Sequence, residues 1–218
     1  MKFEFTPKIS RALLALTTAV TLAGPVQAAP EAQFQPAFDQ FIQASKGNDS
    51  AVEKSVEAFG ALLKLDPTNP VLMAYAGSAT TMKATTTWLP WKKMSYAEDG
   101  MALLDKALAL LTAAHSAPIQ RDVPAVLEVR FVAANTFLAV PGFMNRSSRG
   151  AKLLQEVLSS PLLSVSPLPF QADVWLAGAA LAAKEKRPDE VRKYLNLVIE
   201  RKAPQMEAAR AQLKAFSS

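Results

Sequence analysis

Residues 171–204 constrain the fold most strongly, because they contain two short amphipathic helical patterns separated by a tight turn. The first pattern contains Gly178, the second contains Tyr194 and Leu197, and Lys-Arg-Pro at 186–188 separates them. Helices joined by such a short connection pack antiparallel to each other. This stretch therefore predicts a helical hairpin.

The chain after residue 28 continues in the same way, with apolar residues at helical spacing between prolines and polar capping residues. No stretch shows a convincing strand-like alternation of apolar and polar residues. We therefore expect one all-α domain over residues 29–218, built from stacked antiparallel helical hairpins, with an irregular helical bundle as the alternative. About nine helices are expected, beginning near residues 36, 50, 70, 95, 124, 148, 171, 188 and 204.

Three of these helix starts have specific capping signals. Ser-x-x-Glu at 50–53 and again at 95–98 has the spacing of a capping box. Asn-Pro at 69–70 supplies an N-cap followed by a proline at the first helical position. With the fourth helix beginning at residue 95, residues 88–94 are predicted to be an irregular insertion.

The first 28 residues have the order of a secretory signal peptide. Three basic residues precede the apolar run Ala12–Gly24, and Val-Gln-Ala at 26–28 places small residues before the expected cleavage site. An uncleaved anchor is the alternative, but the run is shorter than the roughly 18 to 20 apolar residues that a bilayer core requires. The sequence therefore predicts cleavage after Ala28 and a periplasmic or secreted protein without a transmembrane segment in its mature part.

Composition argues against several classes of protein. The chain contains no cysteine, so a protein exported to an oxidising compartment would depend on packing without disulfides. The net charge is +5, of which the predicted signal peptide carries two, so about three positive charges remain for the rest of the chain. Such a weakly basic surface does not indicate a nucleic-acid-binding protein.

The spacing of the predicted helices and turns resembles that of the tetratricopeptide repeat (TPR). This is a 34-residue helix-turn-helix unit with a small residue near position 8, an aromatic residue near position 24 and a proline near position 32. Counting from residue 171 places Gly178 at position 8 and Tyr194 at position 24. Units counted from residues 36 and 70 place Phe59 at position 24 and Gly77 at position 8. The repeats are degenerate, because residues 88–94 and 160–170 stretch the middle units.

The resemblance has a structural and a functional implication. Glycine in a helix interior costs roughly 1 kcal/mol relative to alanine, so Gly77 and Gly178 predict helix crossings too close for a Cβ. A TPR-like superhelix implies a non-catalytic scaffold that binds a peptide or protein partner of the cell envelope on its concave face.

Residues 88–94 are the most unusual segment, because they combine two indoles, a proline and two ammonium groups. Trp88, Trp91, Lys92 and Lys93 are therefore the first candidates for partner binding, since indoles offer apolar area and a cation-binding face. The alternative is that both indoles fill a gap in the core.

Further candidates for partner binding lie on the predicted fifth and sixth helices. Arg146 and Arg149 lie near a helix N-terminus, where positive charge is unfavourable, which favours pairing with an anion or an acidic side chain over support of the helix. The preferred interpretation of this segment is nevertheless a solvated turn. Arg130 and Asn135 are lesser candidates. Alternatively, Glu128 and Arg130 of the predicted fifth helix form a structural ion pair with Asp105 of the predicted fourth helix.

No catalytic, metal or cofactor signature is present in the sequence. The single histidine, His115, lacks a nucleophile motif, and there is no HExxH sequence, cysteine cluster or glycine-rich phosphate loop. We therefore predict that the protein is not an enzyme and binds no metal or cofactor. Two alternatives remain open at this point: a carrier of a small ligand or lipid with a tryptophan-lined cavity, and a carboxylate-based envelope hydrolase.

Overall fold

A computed structural model describes residues 31–216 and confirms the all-α fold. The predicted signal peptide lies outside the described residues. Within them the chain forms nine α-helices and no strand, and three short 3-10 turns occupy the longer connections. The helices are α1 (Glu31–Ser45), α2 (Asp49–Leu65), α3 (Pro70–Thr86), α4 (Pro90–Ala109), α5 (Ala125–Ala139), α6 (Ser147–Leu158), α7 (Leu168–Lys184), α8 (Pro188–Glu200) and α9 (Met206–Phe216).

Consecutive helices pack against each other as antiparallel hairpins, as the short connections predicted. The odd-numbered helices also meet directly, since α1 contacts α3 and α3 contacts α5. Because odd-numbered helices run in one direction and even-numbered helices in the other, the array has two faces. We call the surface formed by α1, α3, α5 and α7 the odd-helix face.

An aromatic cluster fixes the first three helices. Phe34 and Phe41 of α1, Phe59 of α2 and Tyr75 of α3 are all buried. The Phe41 and Tyr75 rings meet edge to face with centroids 4.9 Å apart, and the Phe59 and Tyr75 rings stack at 5.0 Å. Such pairs add about 0.5–1.5 kcal/mol each beyond the burial of their area. Tyr75 is therefore the centre of the N-terminal core.

The glycines mark close helix crossings, as the sequence predicted. A Cβ on Gly178 of α7 would lie 3.1 Å from ring atoms of Tyr194 on α8. A Cβ on Gly77 of α3 would lie 2.7 Å from the carbonyl oxygen of Gly100 on α4, which is a backbone atom and cannot rotate away. The α3–α4 hairpin is consequently closed by backbone-to-backbone contact between two glycines.

Two of the three predicted capping signals were wrong, although α2 begins within one residue of its predicted start. Ser50 lies within α2, because Asn48 is the N-cap and its side chain accepts a hydrogen bond from the Ala51 amide. Ser95 lies in the second turn of α4, which begins at Pro90. The start of α3 was predicted correctly, since the Asn69 side chain accepts hydrogen bonds from the amides of residues 71 and 72.

The early start of α4 changes the interpretation of residues 88–94. Only residues 87–89 separate α3 from α4, so this segment is a tight hairpin turn followed by regular helix and not an insertion. Proline at the first helical position is compatible with helix initiation because its missing amide would have no intrahelical partner there. Among residues 31–216, no helix is long and apolar enough to span a bilayer.

Candidate functional site

The turn between α3 and α4 exposes two tryptophans. Trp88 is 82% exposed and Trp91 is 66% exposed, and Met94 beside them is also exposed. Trp91 and Met94 are three residues apart and therefore share one side of α4. The structure thus contradicts the alternative that these indoles fill the core. We call residues 84–95 the α3–α4 tip.

The start of α4 extends well beyond the neighbouring α5–α6 turn. All six residues from Pro90 to Ser95 are exposed, although a packed helix normally buries one side. Arg146, next to the α5–α6 turn, pairs with Asp105 at 3.0 Å. Asp105 lies about 22 Å along α4 from Pro90, at 1.5 Å per residue. The neighbouring α5–α6 turn therefore meets α4 far from the tip.

The charge of the tip is positive. Residues 82–97 contain three lysines and no acidic residue. Lys83, at the base of the tip, pairs with Glu53 of α2 at 2.8 Å. Lys92 and Lys93 are exposed and form no ion pair within the described residues. They lie in the first two turns of α4, where positive charge does not favour the helix dipole.

The two arginines near the start of α6 pair with an acidic side chain, so the preferred interpretation of this segment as a solvated turn was wrong. Arg146 and Arg149 both contact Asp105 of α4, at 3.0 and 2.6 Å. Both guanidinium groups also lie 5.3 Å from the ring centroid of Phe137. Asp105 therefore connects α4 to α6, which is a structural role for both arginines.

The remaining two candidates lie on α5. Arg130 pairs with Glu156 of α6 at 3.3 Å, so the predicted ion pair with Glu128 and Asp105 was wrong. Asn135 is exposed. It lies seven residues after Glu128, so both residues are on the same side of α5. This is the side that contributes to the odd-helix face.

A polar cluster that the sequence did not reveal occupies the odd-helix face. Glu128 of α5 is 1% exposed and accepts a hydrogen bond of 2.8 Å from the Tyr75 hydroxyl. Arg121, in the connection between α4 and α5, donates to the Tyr75 hydroxyl oxygen at 3.2 Å and lies 3.8 Å from Glu128. The Arg121 guanidinium also stacks 3.8 Å from the ring centroid of Phe38 on α1. We call these four residues the Arg121 cluster.

The backbone of this connection is unusual. Arg121 and Asp122 both have φ of 53°, in the left-handed region that residues other than glycine seldom adopt. Gln120 before them is buried, and the Ala125 amide bonds back to the Ala117 carbonyl. Residues 117–124 therefore form a closed loop that directs Arg121 onto the odd-helix face.

Burial raises the pKa of two side chains on this side of the array, Tyr75 and Asp173. Burial raises the pKa of the Tyr75 hydroxyl well above its ordinary value of 10.0, and Glu128 raises it further, while Arg121 lowers it. Asp173 of α7 keeps part of its side chain accessible to solvent, and the partial burial of its carboxyl raises the pKa of that group. The hydrogen bond from Gln205, at 2.8 Å, and the charge of Arg121 oppose that increase.

The sequence contained no motif that indicated the Arg121 cluster. Arg121 and Tyr75 are 46 residues apart, and Tyr75 and Glu128 are 53 apart. Neither spacing corresponds to a motif. The one available signal was the length of the connection before α5, since long loops in compact domains frequently have a specific function.

Two cavities open on the surface, and no tryptophan lines either of them. One, of about 380 Å³, lies between the α2–α3 turn and His115, and the other, of about 260 Å³, lies among α5, α6 and α7. His115 accepts a hydrogen bond from the Thr112 amide at 2.8 Å, so it caps a local turn. No group of acidic or histidine side chains suited to a metal ion occurs within the described residues.

Comparison with known proteins gives no family. No protein-family model, curated protein or solved structure matches the chain.

Proposed function

We propose that the protein is a non-catalytic, exported scaffold of TPR-like architecture that binds a peptide or protein partner of the cell envelope on its odd-helix face. The hairpin array and the two glycine crossings support the resemblance to TPR scaffolds. The signal-peptide pattern of residues 1–28 supports export.

The observation that carries this proposal is that the odd-helix face already holds an irregular segment of its own chain. Residues 117–124 lie against it, and Arg121 is bound there by an aromatic ring, a hydroxyl and a carboxylate. These are the contacts by which a helical groove binds the side chains of a foreign peptide. The surface therefore has the chemistry for holding a polypeptide in a non-helical conformation.

The face continues beyond this segment along α5 and α7. Asn135 is exposed on α5. On α7, Asp173, Ala177, Ala180 and Lys184 are three or four residues apart and share one accessible side of the helix. An amide, a carboxylate and an ammonium group around small side chains would let a partner's backbone approach and form hydrogen bonds. We assign the partner to this part of the face.

Site-specific photo-crosslinking in living cells tests the assignment. A benzophenone amino acid replaces Asn135 or Ala180 on the odd-helix face, and matched variants carry it at Gln155 of α6 or Asn196 of α8, which are equally exposed. We expect a discrete crosslinked partner from the first two positions and none from the second two.

A second measurement gives the affinity of the purified partner for Asn135→Ala and Asp173→Ala. A loss of about tenfold or more is expected if each side chain forms a buried hydrogen bond with the partner. Equal crosslinking from all four positions, or no crosslinking from Asn135 and Ala180, would show that the partner does not bind here.

A further inference from the structure

We propose that the α3–α4 tip is a membrane-docking element that inserts its two indoles into the headgroup region of an anionic lipid surface. The inference concerns a surface separate from the partner-binding part of the odd-helix face, and it holds whether or not a partner binds there.

The first argument is the exposure of the indoles. Trp88 and Trp91 are the most exposed aromatic residues of the α3–α4 hairpin, whereas Trp175 of α7 is 8% exposed and packs in the core. Tryptophan is enriched at membrane–water interfaces because its ring is apolar and its indole NH remains able to bond to headgroups or water. The tip presents two such rings, and Met94 extends the apolar side.

The second argument is shape. The tip is a narrow convex surface of fewer than two helical turns, since each of residues 90–95 is exposed. A stable protein interface buries roughly 800 Å² on each partner, which a narrow projection does not supply without a matching deep pocket. A lipid headgroup layer requires no preformed pocket, because lipids move apart around an inserted side chain. The shape therefore favours a lipid surface over a second protein.

The third argument is charge. Lys92 and Lys93 directly follow Trp91 and form no ion pair within residues 31–216. The surrounding segment, residues 82–97, contains no acidic residue. Each lysine near an anionic membrane surface contributes favourably to binding, and a long side chain can place its ammonium group among phosphates while its stem remains with the apolar layer. Phosphates are the complementary charge for this tip.

The test measures binding of the purified protein, in the form to which cells process it, to vesicles of two compositions. One is phosphatidylcholine alone and the other is equal parts phosphatidylcholine and phosphatidylglycerol. We expect co-sedimentation with the anionic vesicles and clearly weaker binding to the neutral ones. Trp88→Ala with Trp91→Ala should weaken binding to anionic vesicles by at least about tenfold, because the inserted apolar area is removed.

Charge reversal separates the electrostatic contribution from the insertion. Lys92→Glu with Lys93→Glu should weaken binding to anionic vesicles by at least about tenfold and leave the weak binding to neutral vesicles nearly unchanged. The matched control is Leu65→Ala with Val165→Ala, which removes two exposed apolar side chains from the end of α2 and the α6–α7 connection, at the opposite edge of the array. This control should bind as the wild type does.

Fluorescence provides a readout at the tip itself. In a Trp175→Phe background, whose folding is checked by circular dichroism, emission comes from Trp88, Trp91 and no other indole of the chain. We expect a blue shift with anionic vesicles and quenching by lipids brominated near the headgroup. Co-sedimentation of the wild type does not depend on this background, so a poorly folding variant does not remove the test.

Three outcomes would overturn the inference: no binding of the wild type to anionic vesicles, equal binding by the double tryptophan variant, or equal loss in the Leu65 and Val165 control. A benzophenone at Trp88 that crosslinks to one envelope protein, with no vesicle binding, would show that a protein occupies the tip instead. Crosslinking from Asn135 and Ala180 is measured independently, so a failure at the tip leaves the proposed partner site unaffected.

Discussion

The α3–α4 tip and the Arg121 cluster combine the same kinds of groups in opposite ways. Each places cationic side chains beside aromatic rings: Lys92 and Lys93 beside the indoles of the tip, and Arg121 beside Phe38 and Tyr75. In the cluster the cation has a ring, a hydroxyl and a carboxylate within 4 Å. At the tip the ammonium groups form no ion pair among the described residues.

This difference shows which of the two surfaces is available to a ligand. Buried groups that form hydrogen bonds and ion pairs with one another belong to the folded structure. Removing one of them leaves a buried charge or hydrogen-bonding group without a partner, which destabilises the fold. Groups that are exposed and unpaired add little to stability and are free to interact outside the protein. Substitutions in the cluster should therefore change folding, while substitutions at the tip should change binding alone.

The largest expected effect is that of Glu128→Ala. It removes the buried carboxylate that accepts from Tyr75 and faces Arg121, so we expect a loss of about 3–5 kcal/mol in the free energy of unfolding. Urea unfolding followed by circular dichroism measures it. The matched control is Glu156→Ala, whose ion pair with Arg130 is partly exposed and should be worth less than about 1 kcal/mol. Equal losses in both variants would contradict the distinction.

Arg121→Ala should be the next most damaging change. It removes the guanidinium stacked on Phe38 and leaves Glu128 without its cation, with an expected loss of about 2 kcal/mol. Arg192→Ala is a suitable comparison, because Arg192 also faces a ring, Phe216, and a carboxylate, but in an exposed setting. That control should lose less than about 0.5 kcal/mol, and a larger loss there than at Arg121 would contradict the prediction.

Tyr75→Phe should cost about 1–2 kcal/mol at neutral pH, because Glu128 loses its hydroxyl donor while the ring packing remains. The pH dependence gives an additional signature. Since burial raises the pKa of Tyr75 in the folded protein, the unfolded chain ionises first as the pH rises above 10.0, and the wild type loses stability there. The stability difference between wild type and variant should therefore shrink above pH 10.0. A constant difference across that range would exclude the assigned cause.

The smallest effect on stability is expected for the tip. Trp88→Ala with Trp91→Ala should change the free energy of unfolding by no more than about 0.5 kcal/mol, since both indoles are exposed. Trp175→Ala, which empties a buried site, should cost about 3–5 kcal/mol. Thermal or urea unfolding compares them. A large loss in the tip variant would mean that the indoles support the fold.

The all-α fold and the approximate positions of the helices could be predicted because apolar spacing and proline act within a few residues of the chain. The start of α4 was misplaced for the same reason: Ser95 with Glu98 matched a capping box, while Pro90 carried the signal that the structure follows. Both signals are local and lie within one helix, and the sequence alone provided no means of ranking them.

The contacts of the candidate sites could be predicted only in part. The sequence favoured a solvated turn for Arg146 and Arg149 over pairing with an acidic side chain, because which carboxylate faces them depends on how the helices cross. It assigned Arg130 to the wrong partners for that reason. Arg121 was missed because a loop brings it to residues of three different helices, and no periodicity encodes that path.

The contact between Gly77 and Gly100 has a mechanical consequence. Because the carbonyl oxygen of Gly100 lies where a Cβ on Gly77 would come within 2.7 Å, the two helices are fixed backbone to backbone about 15 Å along α4 from Pro90. Bending the two helices towards each other at this point would produce a steric clash between their backbones. The tip is therefore held rigidly to the rest of the array, so a surface that binds its end would set the orientation of the array, and with it the direction in which the odd-helix face points.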